Sequence, residues 1–450
     1  PLLVVNASYV GIDGGTAQNR RLRLRNDGTG SASGVVFASG RNVVVSNTEL
    51  IAGSSTTGYG AAFDGVTAGR LANCLVQRAN VGVQLQNNCD SVQVVGNSIG
   101  ATVAAEKIGT AGVVVLSSQH FDVRGNTVAG VTRAASPAVS GVQVSGTSRE
   151  GFVRGNFISD ITHTGNTTST SYGAVGIRLA STDPAAAIRV DNNMVRDVLS
   201  YGDDGFTFAP HGILASSGGG YGIVYNTVVL RGTMSGGATP QSAALLLNTG
   251  VTNVAVVNNI LENDITSTPT GGRAYALLVA GTAASTLLTS NSNDYFVSNA
   301  QAALANINGV EATTIIGLRA ATGQDARSVS VVPLFTSATD LHLTAQNCAL
   351  AAVGTALPNV LADIDGDVRS TTAPIIGADE ASVCVTAVAQ AKASWQTSVY
   401  PNPSTGLLTV AVRGARGPLT LEVVDALGRP VRRQALPAGA DISQTVDLRG

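Results

Sequence analysis

The stretch YGDDGFTFAPHGI, Tyr201 to Ile213, brings Asp203, Asp204 and His211 close together. Glycoside hydrolysis needs two carboxylates at a defined separation, one acting as acid and the other as base or nucleophile, and histidine is the commonest proton carrier. A catalytic role for Asp203, Asp204 and His211 is the enzymatic reading of this stretch, and a loop held by its own polar residues is the competing one. A lyase acting on uronic acids would need a base and a cation to hold the carboxylate. Lys107 lies in the insertion AAEKIGT, where a solvated loop charge is expected. Arg124 and Arg154 occupy equivalent places in successive repeats and would form a basic stripe or a plain solvated sheet face. DIDGD places Asp363, Asp365 and Asp367 around a glycine turn. Oxygen ligands at alternate positions suit calcium, although the distal bidentate glutamate of an EF-hand is missing. An acidic turn closed by hydrogen bonds is the alternative. His120, His163 and His342 have no neighbour at metal-ligand spacing, so no metal or cofactor is required by the sequence beyond that possible calcium.

These residues are carried by a unit repeated nine times between Gly34 and about Phe296. Each copy opens on a small residue: Gly34, Gly60, Gly82, Gly112, Gly141, Gly176, Gly212, Ala243 and Ala276. Each then reaches an asparagine: Asn47, Asn73, Asn97, Asn126, Asn156, Asn192, Asn226, Asn258 and Asn291. By subtraction the asparagine follows its opening residue by 13 to 16 positions, while the repeat length varies more widely. A fixed offset inside a variable period is expected of stacked coils with loop insertions. After Gly141, Val142 and Val144 flank Gln143; after Gly176, Ile177 and Leu179 flank Arg178. That period of two predicts strands with one buried face. Short β-branched runs before the asparagine and an apolar residue two positions beyond it (Leu75, Ile99, Val128, Ile158, Val228, Ile260) complete three strands per turn. Asparagine suits the bend because it tolerates a left-handed backbone, and stacked amides bond from coil to coil. With Ile213, Leu246 and Leu277 inward, Leu214, Leu245 and Leu278 would face outward as an apolar ladder that something must cover.

Of 450 residues, 44% are hydrophobic and only 12% charged, with 52 glycines. This fits a solenoid with a dry lumen better than a globular α/β enzyme. A net charge of −2 argues against a nucleic-acid partner. No apolar run is long enough to span a membrane. The first residues already look like a strand and turn, so a targeting region is expected upstream or removed. Residues 1–33 read as an incomplete first coil, 1–296 as the coils together, 297–380 as a capping segment, 381–397 as a linker and 398–450 as a separate domain. Within the cap, TTIIGLRAATG (Thr313 to Gly323) has a threonine start and glycine stop and predicts a short helix, and residues 331–380 are expected to cover the open end of the stack. The four cysteines permit Cys74–Cys89 and Cys348–Cys384 disulfides, or four buried thiols.

SVYPNPSTG (Ser398 to Gly406), LEVVDALGRPV (Leu421 to Val431) and TVDLRG resemble the type A C-terminal sorting domain of the type IX secretion system of Bacteroidetes. The resemblance implies a small β-sandwich recognised by the outer-membrane translocon. It also implies two further strands beyond Gly450, so the domain is expected to be truncated here. Residues 1–380, with the coil pattern, NSNDYF, ATGQDARSVSVVPLF and DIDGD…IGADE, resemble the right-handed parallel β-helix proteins of the pectate-lyase-like superfamily. That group includes lyases, glycosidases, tailspikes and adhesins, so it implies a fold rather than one activity. At Asp-Asp and His-Gly the 201–213 stretch is similar to polygalacturonase motifs, but the other motifs of that family are absent. The expectation is an all-β, secreted, cell-surface protein: a right-handed parallel β-helix solenoid followed by the sorting sandwich. It would serve as an adhesin-like, structural or glycan-binding module. A polysaccharide lyase or glycoside hydrolase acting on extracellular polysaccharide is the alternative.

Overall fold

The computed structural model describes residues 1–28, 30, 34–166, 171–351, 353–381, 396–414, 417–425, 429–437, 439 and 441–449. They fall into two compact units, Pro1–Val383 and Cys384–Gly450. In the first, alternating residues become three parallel sheets that run the length of a β-helix. The first sheet has 12 strands, the second 10 and the third 11. Each coil contributes a strand to each sheet in turn, as Val139–Gly146, Phe152–Arg154 and Phe157–His163 do. Pairing is in register: Val113, Val142 and Ile177 stack, and all three are fully buried. Burying each such side chain is worth about 1.5–3 kcal/mol.

A column of small residues shapes the lumen. Gly60, Gly82, Gly112, Gly141, Gly176 and Gly212 share one register position in the first sheet. A Cβ at Gly141 would stand 2.5 Å from Ile158 Cγ2 and 2.6 Å from Gly176 O. The β-branched residues of the third sheet therefore press against bare backbone. In this register the column continues through Ala244, not Ala243. That shift by one places Leu245 in the core with Ile213 and Leu277, and turns Leu246 outward with Leu214 and Leu278. The outward ladder is thus Leu214, Leu246 and Leu278. It is covered, at 6%, 1% and 2% exposure, with Phe206 of an inserted loop packed against it.

The bend between the second and third sheets holds two adjacent columns where the sequence suggested one. Asn47, Asn73, Gly96, Gly125, Gly155, Asn192, Tyr225, Asn258 and Ser292 take a left-handed backbone, with φ between 52° and 65°. The next residue points inward: Asn97, Asn126, Asn156, Asn193, Asn226, Asn259 and Asn293 are buried. From Asn126 onward, the side-chain oxygen of each accepts from the backbone N–H and the amide of the asparagine one coil earlier, as Asn156 Oδ1 does from Asn126 N (3.0 Å) and Nδ2 (2.9 Å). Each amide also donates to a carbonyl of the preceding coil, Asn156 Nδ2 to Val123 O at 2.9 Å. Asn47, Asn73, Asn192, Asn258 and Asn291 therefore lie outside this ladder; Thr48 and Cys74 follow the first two, and Asn193, Asn259 and Asn293 take the places expected of the last three. In the first two of these last three segments one asparagine takes the left-handed bend and the next the ladder; in the third, Ser292 takes the bend and Asn291 ends the preceding strand. Cys74 N heads the column on Asn97 Oδ1, and Asn293 N donates to Ser328 Oγ at its other end.

The first coil supplies all three strands, with Leu3–Asn6, Gly11–Asp13 and Leu22–Asn26 each joining a sheet. The far end is closed by the hairpin Ala302–Ile307/Val310–Ala312 and the helix Ile315–Thr322. Thr314 caps this helix through Gly317 N, Gly323 ends it at φ 68°, and Leu318 enters the core. Residues 331–380 do not cover that end. They return along the outer bend as a strap, because the left-handed corners offer polar side chains there. Asn258 exchanges two bonds with Thr355, Tyr225 Oη donates to Thr355 O, and Arg369 Nη2 reaches Asn192 Oδ1 at 2.8 Å. Arg369 is buried over the Tyr225 ring, 3.9 Å from its centroid, and pairs with Glu380. Cys74 and Cys89 are buried free thiols, because they occupy different bends of the coil. Cys348 is disulfide-bonded, and Cys384 lies outside the described residues. Most of the expected linker, including Lys392, lies outside them too.

The second unit consists of antiparallel sheets of three strands (Gln396–Tyr400, Leu407–Arg413, Asp441–Asp447) and two (Leu419–Val424, Pro430–Leu436). Val410, Val412, Leu436, Ile442 and Val446 form a core shared by both, as in a small sandwich.

Replacing Asn156 by alanine removes the acceptor of two Asn126 donors and the donor to Val123 O. Urea unfolding of Asn156→Ala should show a loss of about 3 kcal/mol. A change below about 0.5 kcal/mol would mean that the ladder does not stabilise the stack.

Candidate functional site

Four places on the β-helix bring chemistry-bearing side chains together. The first is the loop between Leu199 and His211, which carries the residues singled out from sequence. Asp203 Oδ1 accepts from Phe208 N at 3.1 Å, and Asp204 Oδ1 accepts from Ala238 N and Thr239 N of the next coil's insertion. His211 lies on a first-sheet strand, fully buried, with Nε2 2.6 Å from Phe206 O. Burial pushes its pKa down to about 4, so it is neutral at neutral pH. Burial also pushes the Asp203 carboxyl up. All three side chains fold the loop over the outer leucine ladder. They hold Phe206 and Phe208 above a cavity of about 150 Å³ whose lining includes Arg178 and Leu214.

The second place is the outer face of the second sheet. Arg124 and Arg154 are register partners there, as their spacing implied, and Asp191 follows in the same column. Arg154 makes a bidentate pair with Asp122, at 2.9 and 2.8 Å, and Arg189 pairs with Asp191 at 2.7 Å. The guanidinium groups of Arg154 and Arg189 both lie on the Phe152 ring, 4.9 and 4.8 Å from its centroid. The stripe is thus a mixed-charge lattice rather than a basic one. A groove of about 380 Å³ runs beside it, where the corner residues are Gly96, Gly125 and Gly155 and the strap has reached residues 359–364. Lys107 pairs with Asp160 at 3.2 Å.

The third place is the acidic turn. Oxygens of Asp363, Asp365 and Asp379 lie within 4.8 Å of one another, so Asp379 stands where Asp367 was expected. Asp363 Oδ1 accepts from Asp365 N and Asp367 N, and its Oδ2 from Glu380 N; Asp379 Oδ2 accepts from Leu343 N. Asp365 is exposed and lies 3.0 Å from His342 Nε2. The buried carboxylates already have N–H donors, which makes the turn self-sufficient and leaves Asp365 as its most accessible ligand. His163, a buried histidine, is held by Ala135 O and by Gly165 N.

The fourth place, which sequence did not single out, is the bend between the first and second sheets. Here Thr67, Asp90, Gln119 and Arg149 stack coil on coil. Gln119 Nε2 donates to Asp90, and Arg149 Nη2 to Gln119 Oε1 at 2.8 Å. His120 bridges Asp90 and Glu150 at 2.8 and 2.7 Å, and its bond to Asp90 leads the effects that raise its pKa. An open groove of about 530 Å³ follows this bend, lined by Asn88, Ser117, Gln119, Thr147, Arg149 and Thr182 among others. The signal was a polar residue recurring just before each second-sheet strand, hidden by the variable loop length.

Residues 398–450 match the family model described as "Secretion system C-terminal sorting domain". This segment is a type IX secretion sorting domain. With its sorting domain, the chain is a secreted, cell-surface protein handled by the type IX machinery. Among the described residues, no helix is long and apolar enough to cross a membrane. No curated protein matches the chain. Among solved structures, the A-module of the mannuronan C-5 epimerase AlgE6 of Azotobacter vinelandii is similar at 13% identity. That match covers 69% of this chain and 89% of the other, with a TM-score of 0.22.

The buried His211 sets a pH dependence. Its folded pKa is about 4 against an ordinary 6.5. Between those values the unfolded chain takes up a proton that the folded chain refuses. Stability is therefore lost as pH falls from about 6.5 towards 4, by roughly 3 kcal/mol at most. His211→Gln keeps a donor for Phe206 O and should flatten this part of the stability profile, read as melting temperature between pH 7.5 and 4.5. Identical slopes in both proteins would assign the acid sensitivity elsewhere.

Proposed function

We propose that the chain is an adhesin-like, glycan-binding β-helix displayed at the cell surface. The observation that carries this reading is the open groove at the bend between the first and second sheets. Its amide, hydroxyl and guanidinium groups recur at the coil spacing and offer hydrogen bonds in the pattern that sugar hydroxyls accept and donate. Chain polymers suit such a groove because each successive coil adds a polar side chain along the axis. The carboxylates that a glycosidase or lyase would use are engaged in holding structure: Asp203 and Asp204 anchor their loop, and Asp122 and Asp191 are tied to arginines. A calcium ion at Asp363, Asp365 and Asp379 is the accompanying proposal, supported by the proximity of their oxygens. Extracellular polysaccharide or a cell-surface glycan is the partner this reading implies.

A glycan array probed with the 450-residue chain, with and without calcium, tests the reading. Bound polymers should be recovered intact by mass spectrometry. The double variant Gln119→Ala/Arg149→Ala should bind at least about tenfold more weakly, since charged hydrogen bonds are lost from the groove. Shortened products would replace this reading with the lyase or glycosidase one. A calcium-induced rise in melting temperature that Asp365→Asn abolishes would support the ion.

A further inference from the structure

Among the described residues, Arg178 is a cation without a counter-ion. It stands in the outward central column of the first sheet, with Gln143 before it and Leu214 after it. Most arginines of the β-helix unit are paired or hydrogen-bonded: Arg154 on Asp122, Arg189 on Asp191, Arg231 on Glu262, Arg369 on Glu380. Arg178 has no hydrogen bond or ion pair among the described residues, and its Nε is buried without an acceptor. Burial alone lowers its pKa; no carboxylate acts on it. Arg178 is partly buried, and holding its Nε out of water without an acceptor is costly, so a fold selected for stability alone would place an apolar or paired residue here.

Its surroundings are built rather than loose. The cavity it lines is closed by Phe206, Thr207 and Phe208 and floored by Val175, Leu214 and Leu246. The roof is tied down at Asp203 to Phe208 N, at His211 to Phe206 O and at Ser200 Oγ to Phe208 O (3.2 Å). His211, buried and neutral at neutral pH, adds no charge. The volume, about 150 Å³, is on the order of what takes one six-membered ring. Apolar walls accept a ring face, and the planar fork of a guanidinium matches a carboxylate in bidentate fashion.

We propose that Arg178, under the Phe206–Phe208 roof, is a binding site for a single ring bearing a carboxylate. This site lies on a different face from the groove of the proposed function and does not depend on it. The ring could be a carboxylated sugar or an aryl carboxylate; the shared chemistry is one carboxylate on a ring with an apolar face.

Isothermal titration of the full chain with sodium galacturonate and with sodium benzoate tests this, with methyl galacturonate ester and benzamide as uncharged controls. At least one of the two carboxylates should bind, and its uncharged control should not. Arg178→Gln should weaken that binding at least about tenfold, and Arg178→Lys, which keeps charge but loses the fork, by less. Binding of galacturonate alone or benzoate alone names the source of the ring. The unliganded Arg178→Gln protein should melt at or above the parent temperature, because an unpaired charge has been removed. Equal binding by the parent and Arg178→Gln, equal binding of the uncharged controls, no binding at all, or a lower melting temperature in the variant would each overturn the proposal. A neutral glycan bound in the array and unaffected by Arg178→Gln would leave the glycan reading intact.

Discussion

Backbone and side-chain amides drawn into a dry lumen must find partners there, and the asparagine ladder is how this β-helix meets that requirement. Within the column each inward amide, such as Asn156, gives both its donors and takes two. Because the oxygen of one coil serves the N–H of the previous coil, the ladder fixes the rise and the register together. A slip by one residue would leave every amide in the column unpaired and turn each strand inside out. The valine and isoleucine core packs tightly only once that register exists.

Much of this was legible in the residues themselves. Alternation in GVQV and GIRL gave the strand faces, and Gly82, Gly112, Gly141 and Gly176 marked one register position. The asparagines were legible as a class but not as columns. At Asn192-Asn193 and Asn258-Asn259 two adjacent positions favour asparagine for separate reasons, one because φ is positive and the other because an amide must face the ladder. Sequence offers no means of choosing between them. The same ambiguity of one residue at Ala243-Ala244 exchanged Leu245 and Leu246 between core and surface. The candidate site was legible as residues and not as roles. Asp203, Asp204 and His211 are close in sequence and space, yet their partners, Phe208, Ala238, Thr239 and Phe206, lie in loops without periodicity. Arg178 looked like any polar position on an outward face until the loop above it was in place.

The strap divides the outer bend into two regimes. Where it lies, the left-handed corners are Asn192, Tyr225, Asn258 and Ser292, whose side chains bond to it or pack against it. Where it ends, the corners are glycines and a groove opens beside the arginines. The choice between glycine and asparagine at a strained backbone position therefore also decides whether a coil is covered or accessible.

A stack of coils is mechanically a chain of nearest neighbours, and such chains unzip one unit at a time. The strap joins Asn192 to Arg369 across 177 residues and Tyr225 to Thr355 across 130. Such bonds tie coils that are not adjacent in the stack to one another, so a coil under the strap cannot open without disturbing the others. For a protein held at the cell surface, the strapped stretch thus behaves as one cooperative block rather than a row of independent units.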